Sequence, residues 1–275
     1  MKQVLFFCLI FISFIGKSQT SFNVEYEADY KLAYKDQNIP NAPTQDAAFA
    51  LLMNREESYF KNLNKYVSDS LKYERKLNDK SSYNDYLRYF TPFDENIGIT
   101  SAKIYVTVPI SGKNYKYEES NDMNWKLENE YKKIGKYKCQ KATAKKYGRT
   151  WTAYFTNEIP FPYGPYKFSK LPGLILEVFD DKKDYVFTLY KFGKRKYLCK
   201  SANMNLNAET IQKQKIFDYK RKEMGNPNKY LEHIGDEETR QLLIKKSSEK
   251  AKRYNPIELS KYLLKINNTF LSEII

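Results

Sequence analysis

Residues 137–156 read YKCQKATAKKYGRTWTAYFT. Tyr137–Lys146 and Thr150–Thr156 are two strand-length runs rich in Tyr, Thr, Trp and Phe. Tyr147-Gly148-Arg149 between them supplies the glycine that a tight turn uses. The stretch is a β-hairpin. A second hairpin follows, with Leu174–Phe179 and Tyr185–Phe192 flanking Asp180-Asp181-Lys182-Lys183. Upstream, Ile104–Val108, Asn114–Glu119 after a turn at Gly112, and the alternation Trp125, Leu127, Asn129, Tyr131 add three strands. Short strands joined by tight turns make an antiparallel meander. There is no strand–helix–strand alternation, which argues against Rossmann and α/β-barrel enzymes.

Working outward, Phe22, Val24, Tyr26 and Ala28 alternate with Asn23, Glu25 and Glu27, the pattern of another strand. Residues 35–46, with two prolines, read as a loop. The run Ala47–Leu63 fits two templates. Phe49, Leu52, Met53, Glu56, Phe60 and Leu63 share one helical face; alternatively two strands flank Asn54-Arg55-Glu56-Glu57. Residues 64–86 are polar and Tyr-rich, a loop with a short helix. Beyond residue 205 the pattern turns helical. Asn207 caps a helix through Lys222, ended by Gly225-Asn226-Pro227. Asp236 caps a second through Lys252, with acids first and bases last to suit the helix dipole. Asn255-Pro256 stops it. The expectation is a mainly β protein with C-terminal helices (α+β): a β-rich core over about 22–200 and a helical part over about 205–275, in one domain spanning 19–275. By fold-level analogy the sheet is curved and half-barrel-like.

The N-terminus carries Lys2, an apolar run from Val4 to Ile15, and Gly16-Lys17-Ser18 with small residues at the −3 and −1 positions. This is the layout of a secretory signal peptide over residues 1–18. It implies export to the periplasm or cell envelope. The whole chain has 275 residues and a formal charge of +14; losing Lys2 and Lys17 leaves 45 bases against 33 acids, a net +12. Such a surface attracts anionic ligands and anionic membranes. An exported chain with no nucleic-acid motif is not expected to bind nucleic acid.

Little recognisable chemistry is present. There is no G-x-S-x-G elbow, H-E-x-x-H or phosphate-cradling glycine loop. The single histidine, His233, lies at a helix boundary. Glu118-Glu119 would point to opposite faces of a strand, and Asp180-Asp181 fall in a turn. No metal or cofactor is expected. Two cysteines remain after cleavage: Cys139 in the strand 137–146, and Cys199 after the strand 185–192. Both belong to the block read as one sheet, and an oxidising compartment favours a Cys139–Cys199 disulfide; the other reading is two buried thiols.

The unusual segment is Glu158–Asp181, EIPFPYGPYKFSKLPGLILEVFDD. Its prolines exclude a central strand at the start. Pro172-Gly173 suits a type II turn, with Gly173 at positive φ. Phe161, Tyr163, Tyr166 and Phe168 load a compact loop with aromatic surface. It reads either as a self-packed Ω-type loop closing the end of a sheet or as an aromatic rim over a ligand groove.

Here the chain resembles the GLPGLI family of exported Bacteroidetes proteins. The motif reads Lys170-Leu171-Pro172-Gly173-Leu174-Ile175, with lysine for the first glycine. Gly135–Thr143, Gly148-Arg149-Thr150-Trp151-Thr152-Ala153-Tyr154, Glu158-Ile159-Pro160, Gly164-Pro165-Tyr166-Lys167-Phe168 and Asn255-Pro256-Ile257-Glu258 are similar too. The resemblance implies export in a Gram-negative bacterium, favours the two-strand reading of 48–63, and brings no catalytic residues. Asp69-Ser70-Leu71 is similar to the O-glycosylation tripeptide of such bacteria. The expected role is a non-catalytic envelope accessory protein that binds a small hydrophobic or anionic ligand or an outer-membrane protein. The competing readings are a carboxylate-dependent hydrolase and a purely structural or assembly protein.

Overall fold

The computed structural model describes residues 22–70, 89, 91–199, 208–225, 231–232 and 234–259. The expected signal peptide, Asn207, Asn226-Pro227, Leu71 and His233 lie outside these residues.

β1 (Phe22–Tyr34) runs through the middle of a twelve-stranded sheet. On one side β2 (Gln45–Met53), β3 (Glu57–Asn62), β4 (Asn96–Thr100), β5 (Lys103–Ile110) and β6 (Lys113–Ser120) step outward. On the other, β7 (Lys126–Ile134) starts at the far edge. β8 (Tyr137–Lys146), β9 (Arg149–Thr156), β10 (Leu174–Asp180) and β11 (Tyr185–Cys199) then step back to pair with β1. All these pairings are antiparallel. β12 (Glu209–Thr210) joins β6 in parallel, so the sheet is mixed.

This topology requires a curl. β6 and β7 lie near opposite ends of the strand order, yet only residues 121–125 join them. A flat sheet would separate them by about 48 Å at about 4.8 Å per strand, whereas so short a linker reaches roughly 20 Å. The ends do meet: Lys146 Nζ lies 2.6 Å from Asp122 Oδ1, and Tyr147 OH donates to Glu119 Oε1 at 3.3 Å.

The run 47–63 forms the two strands β2 and β3. Residues 49–53 are all buried. Phe49, Leu51 and Met53 enter the main core while Ala50 and Leu52 enter a smaller cluster with Phe22, Val24 and Cys199. Asn54 Oδ1 accepts from the backbone N–H of Glu56 and of Glu57, both at 2.9 Å, and fixes the turn. Between β8 and β9 the turn is two residues, Tyr147 (φ 56°) and Gly148 (φ 76°). Lys146 faces Arg149 in the ladder, so Arg149 belongs to β9 rather than to the turn. Three helices complete the described chain: α1 (Leu63–Asp69), α2 (Lys213–Gly225) and α3 (Glu237–Lys252). Asp236 caps α3 through the Thr239 N–H at 2.9 Å, as its sequence implies.

Residues 157–173 fold into the curl as its filling. Phe168 is fully buried, 4.6 Å from the Trp151 ring, and Leu171 is buried beside it in the same core. Full burial of such an aromatic stabilises the fold by about 1.5–3 kcal/mol.

Two expectations fail. The Cys139–Cys199 disulfide does not form. Cys139 is on β8 and Cys199 ends β11, with β9 and β10 between them. Three strand spacings amount to about 14 Å, against a Cα separation of about 4.4–6.8 Å in a disulfide. Each thiol is buried in a different cluster. Gly173, in turn, does not have positive φ; in its motif the left-handed residue is Lys170, at φ 73°. Gly173 is constrained by space: an added Cβ would lie 2.0 Å from the Thr156 carbonyl oxygen.

Candidate functional site

The motif residues converge on the segment 255–259, at the β8–β9 turn. Arg149 is buried and uses its donors fully. Nη1 lies 2.7 Å from Asp180 Oδ2, Nη2 donates to Asn255 Oδ1 at 2.6 Å and to the Pro256 carbonyl at 2.7 Å, and Nε donates to the Ile257 carbonyl at 3.1 Å. The Tyr185 ring sits 5.0 Å from the guanidinium. The Leu259 N–H donates to the Tyr147 carbonyl at 2.7 Å, and a side chain at Gly148 would collide with the Leu259 carbonyl. Gly148 thus answers to both a left-handed backbone and a close approach.

Lys167 and Glu258 make the second half of this clasp. Lys167 Nζ lies 2.5 Å from Glu258 Oε1 and 2.8 Å from Glu119 Oε1, while Lys213 Nζ lies 2.6 Å from the other oxygen of each acid. Lys167 also donates to Tyr117 OH at 2.8 Å, and Tyr166 OH donates to Glu258. Two cations and two anions balance. Burial pushes the Glu258 carboxyl up, but the Lys167 and Lys213 ammonium groups outweigh burial and hold it at about 2. Burial depresses Lys167, and the Glu258 and Glu119 carboxylates reverse this and raise it. Both stay charged. This saturated network joins β6, the inner loop and the C-terminal segment, which is the work of a clasp.

A cleft of about 510 Å³ opens at the other end of β9. Its origin is a split in the sheet. β10 pairs with β11 only over Glu177–Phe179. Before that, the Ile175 N–H donates to the Tyr163 carbonyl at 3.0 Å and the Leu174 N–H to the Ile159 carbonyl at 2.9 Å. Tyr30 OH takes the Ile175 carbonyl at 2.6 Å. With its backbone so engaged, β10 leaves β11. The gap is walled by Tyr26 and Phe192 on one side and by Ile159–Pro162 on the other, with Glu25, Arg55 and Glu158 at the rim. Tyr26 lies parallel to Phe192 at 5.6 Å and 4.9 Å from Phe161.

Of the four loop aromatics, Phe161 lines this cleft. Tyr163 is buried behind it, and burial pushes its hydroxyl up to about 12. Tyr166 belongs to the clasp and Phe168 to the core. Gly164 packs beneath Ile175, Pro165 accepts from the Phe168 N–H, and Leu171, Leu174 and Ile175 are core residues, while Pro172 is exposed. Asp69 of the glycosylation-like tripeptide is buried against Lys61 and Lys65. Tyr26 and Phe192 were not singled out by sequence. Phe192 stands in KFGKRK, a lysine-rich run that reads as a solvated face.

A family model described as a protein of unknown function (Porph_ging) matches residues 146–177, from the β8–β9 turn through the inner loop into β10. No curated protein matches the chain. Among solved structures, PNGF-II in two crystal forms is similar, with TM-scores of 0.51 and 0.48. Each is 16% identical and covers 71% of this chain, but 32% and 33% of PNGF-II. The chain therefore spans about a third of that protein, and at this identity the likeness is one of fold. A LolA superfamily protein from Nitrosomonas europaea aligns over 62% of this chain and 86% of its own at 8% identity; its TM-score of 0.27 carries no weight.

Proposed function

We propose that the protein is an exported accessory protein of the cell envelope, of the GLPGLI type, that acts by binding a partner rather than by chemistry. The single observation that supports this is the cleft between Tyr26, Phe161 and Phe192. Its volume lies within the roughly 300–1,000 Å³ range of ligand sites, and aromatic and proline side chains share its lining with Glu25, Arg55 and Glu158. The half-barrel-like curl gives that lining a rigid wall. The Glu258 carboxylate is held ionised by Lys167 and Lys213, which favours a structural over a catalytic use. The signal-peptide layout of residues 1–18 supports export.

Native mass spectrometry on protein recovered from the periplasm of its own host tests this reading. The expected species begins at Gln19 and carries a bound adduct, which is lost in Tyr26→Ala and Phe192→Ala proteins of unchanged melting temperature. Protein retaining residues 1–18, or free of adduct in wild type and variants alike, would overturn it.

A further inference from the structure

Beside the cleft, a short piece of β1 is set off from the rest of the strand. Register shifts between Val24 and Tyr26 and between Asp29 and Tyr30 bound the segment Tyr26–Asp29, which faces Lys191–Lys194 of β11. Successive side chains of a strand point to opposite faces. Tyr26 lines the cleft beside Phe192, and Ala28 enters the main core. Glu27 and Asp29 point the other way. One segment therefore carries the cleft wall on one face and two acids on its back.

Both acids are buried, Glu27 at 7% and Asp29 at 5% exposure. One oxygen of each is matched by β11: Arg195 Nη1 lies 3.0 Å from Glu27 Oε1, and Lys191 Nζ lies 3.3 Å from Asp29 Oδ2. The remaining oxygens, Glu27 Oε2 and Asp29 Oδ1, are buried and accept from no donor among the described residues. Yet the two carboxyl groups are within hydrogen-bonding reach of each other. An ionised carboxylate only accepts, so such a contact needs a proton. A single shared proton satisfies both orphaned oxygens.

The surroundings favour that proton. The residues opposite on β2 are Leu52 and Ala50, buried and apolar. Lys61 of β3, beyond Ala50, lies 3.6 Å from Asp69. The hydroxyls nearby are Tyr66 of α1 and Tyr190 and Tyr197 of β11, each pushed up by burial and so neutral. Burial raises the Glu27 carboxyl above the ordinary 4.5. Arg195 and Lys191 oppose this, while the charge of Asp29 and its hydrogen bond add to it.

Resting on the cleft reading above, we propose that Glu27 and Asp29 hold one proton between them, and that its loss loosens the segment Tyr26–Asp29 and with it the Tyr26–Phe192 wall of the cleft. With the proton in place the pair is a hydrogen bond. Without it two buried carboxylates repel. Arg195 and Lys191, both more than half exposed, compensate only in part. The wall is thereby firmer in mild acid than at neutral and alkaline pH. The sign follows from the raised carboxyl: its contribution is complete below about pH 4.5 and is lost as pH rises through the folded value.

Two variants of the mature full chain test this. Glu27→Gln keeps a donor in place and cannot ionise; Asp29→Asn removes the neighbouring charge and leaves Glu27. Relative to each variant at the same pH, wild type is expected to lose urea stability steadily from about pH 4.5 to about pH 8. Over the same range its amides in 26–29 and 191–194 are expected to exchange progressively faster than those of the variants. A stability gap that stays constant with pH, or exchange in that segment that follows the variants, overturns the proposal. Dodecanol, which carries no charge at any of these pH values, separates the proton pair from the cleft. Dodecanol binding that weakens with rising pH in wild type alone supports both. Binding that is the same at every pH and in every variant leaves the cleft and overturns its coupling to the pair. The exchange difference without any dodecanol binding keeps the proton pair and removes the cleft. If neither is seen, both fall.

Discussion

Lys167 Nζ stands 2.5 Å from Glu258 Oε1, and the two side chains, 91 residues apart, are almost wholly withdrawn from water. The pair ties the inner loop to the C-terminal segment. Removing Glu258 leaves the Lys167 and Lys213 ammonium groups facing Glu119 alone, an unbalanced buried charge that costs about 3 kcal/mol or more. Glu258→Gln is expected to lower the unfolding free energy by that amount, read as a lower urea midpoint at an unchanged m-value. Combining it with Lys167→Met should cost less than the sum, since Lys213 and Glu119 then remain as a balanced pair. Additive losses would mean that the two do not act as a pair.

The same acid sets an acid limb. Its folded pKa of about 2 lies below the ordinary 4.5. Its contribution is therefore complete above about pH 4.5, declines as pH falls, and vanishes below about pH 2; the gap is worth roughly 3 kcal/mol. The stability difference between wild type and Glu258→Gln should be widest at neutral pH and close progressively between about pH 4.5 and 2. Melting temperatures measured across that range check this; a difference independent of pH contradicts it.

Lys170 occupies a left-handed backbone position, φ 73°, where the motif it resembles carries glycine. For a non-glycine residue that conformation costs about 1–2 kcal/mol, which is offset in part by glycine's greater freedom when unfolded. Lys170 Nζ also donates to the Ser101 carbonyl at 2.5 Å, an exposed contact. Lys170→Gly should raise stability by about 0.5 kcal/mol net, whereas Lys170→Val should lower it by about 1 kcal/mol. Calorimetry that ranks valine at or above lysine would show that the backbone there relaxes freely.

The β8–β9 hairpin was legible because polar residues recur along β8 and the start of β9 and the glycine turn marks their join; β4, buried along nearly its whole length, and the two-residue β12 were not read. β2 hid between helix and strand because both of its faces are buried, which erases the period of two. The clasp was half legible: the motifs pointed to Arg149, Lys167 and Asn255–Glu258, but their contacts cross 106 and 91 residues of sequence and depend on the curl. The cleft was the least legible. Phe161 announced itself in a proline-rich aromatic loop, but Tyr26 looked like any strand residue and Phe192 sat among lysines. The β1–β11 ladder makes those two neighbours, and the departure of β10 from β11 lets Phe161 reach them.

The two cysteines carry the outcome of a failed expectation into solution. Peptide mapping of unreduced protein should recover the peptides bearing Cys139 and Cys199 separately, because β9 and β10 lie between their strands. Cys139 should also resist alkylation in the folded state: it is buried, and burial pushes its thiol up to about 11. A single linked peptide would require the strand order of β8 to β11 to be different.

Gly173 and Gly135 separate the two reasons for a glycine. At Gly173 a Cβ would meet the Thr156 carbonyl oxygen at 2.0 Å and its carbon at 2.6 Å. Those atoms are backbone, and Thr156 is held opposite Leu174 in the β9–β10 ladder, so neither side yields cheaply. At Gly135 φ is 56° but nothing lies within 4 Å. Gly173→Ala is therefore expected to cost at least about 3 kcal/mol through forced overlap, and Gly135→Ala about 1 kcal/mol through backbone strain alone. For a domain of this size 1 kcal/mol corresponds to about 2–4 °C in Tm. Gly173→Ala should accordingly melt about 6 °C or more below wild type, and Gly135→Ala only a few degrees below. Equal shifts, or a Gly173→Ala protein that melts like wild type, would mean that the inner loop does not press against the end of β9.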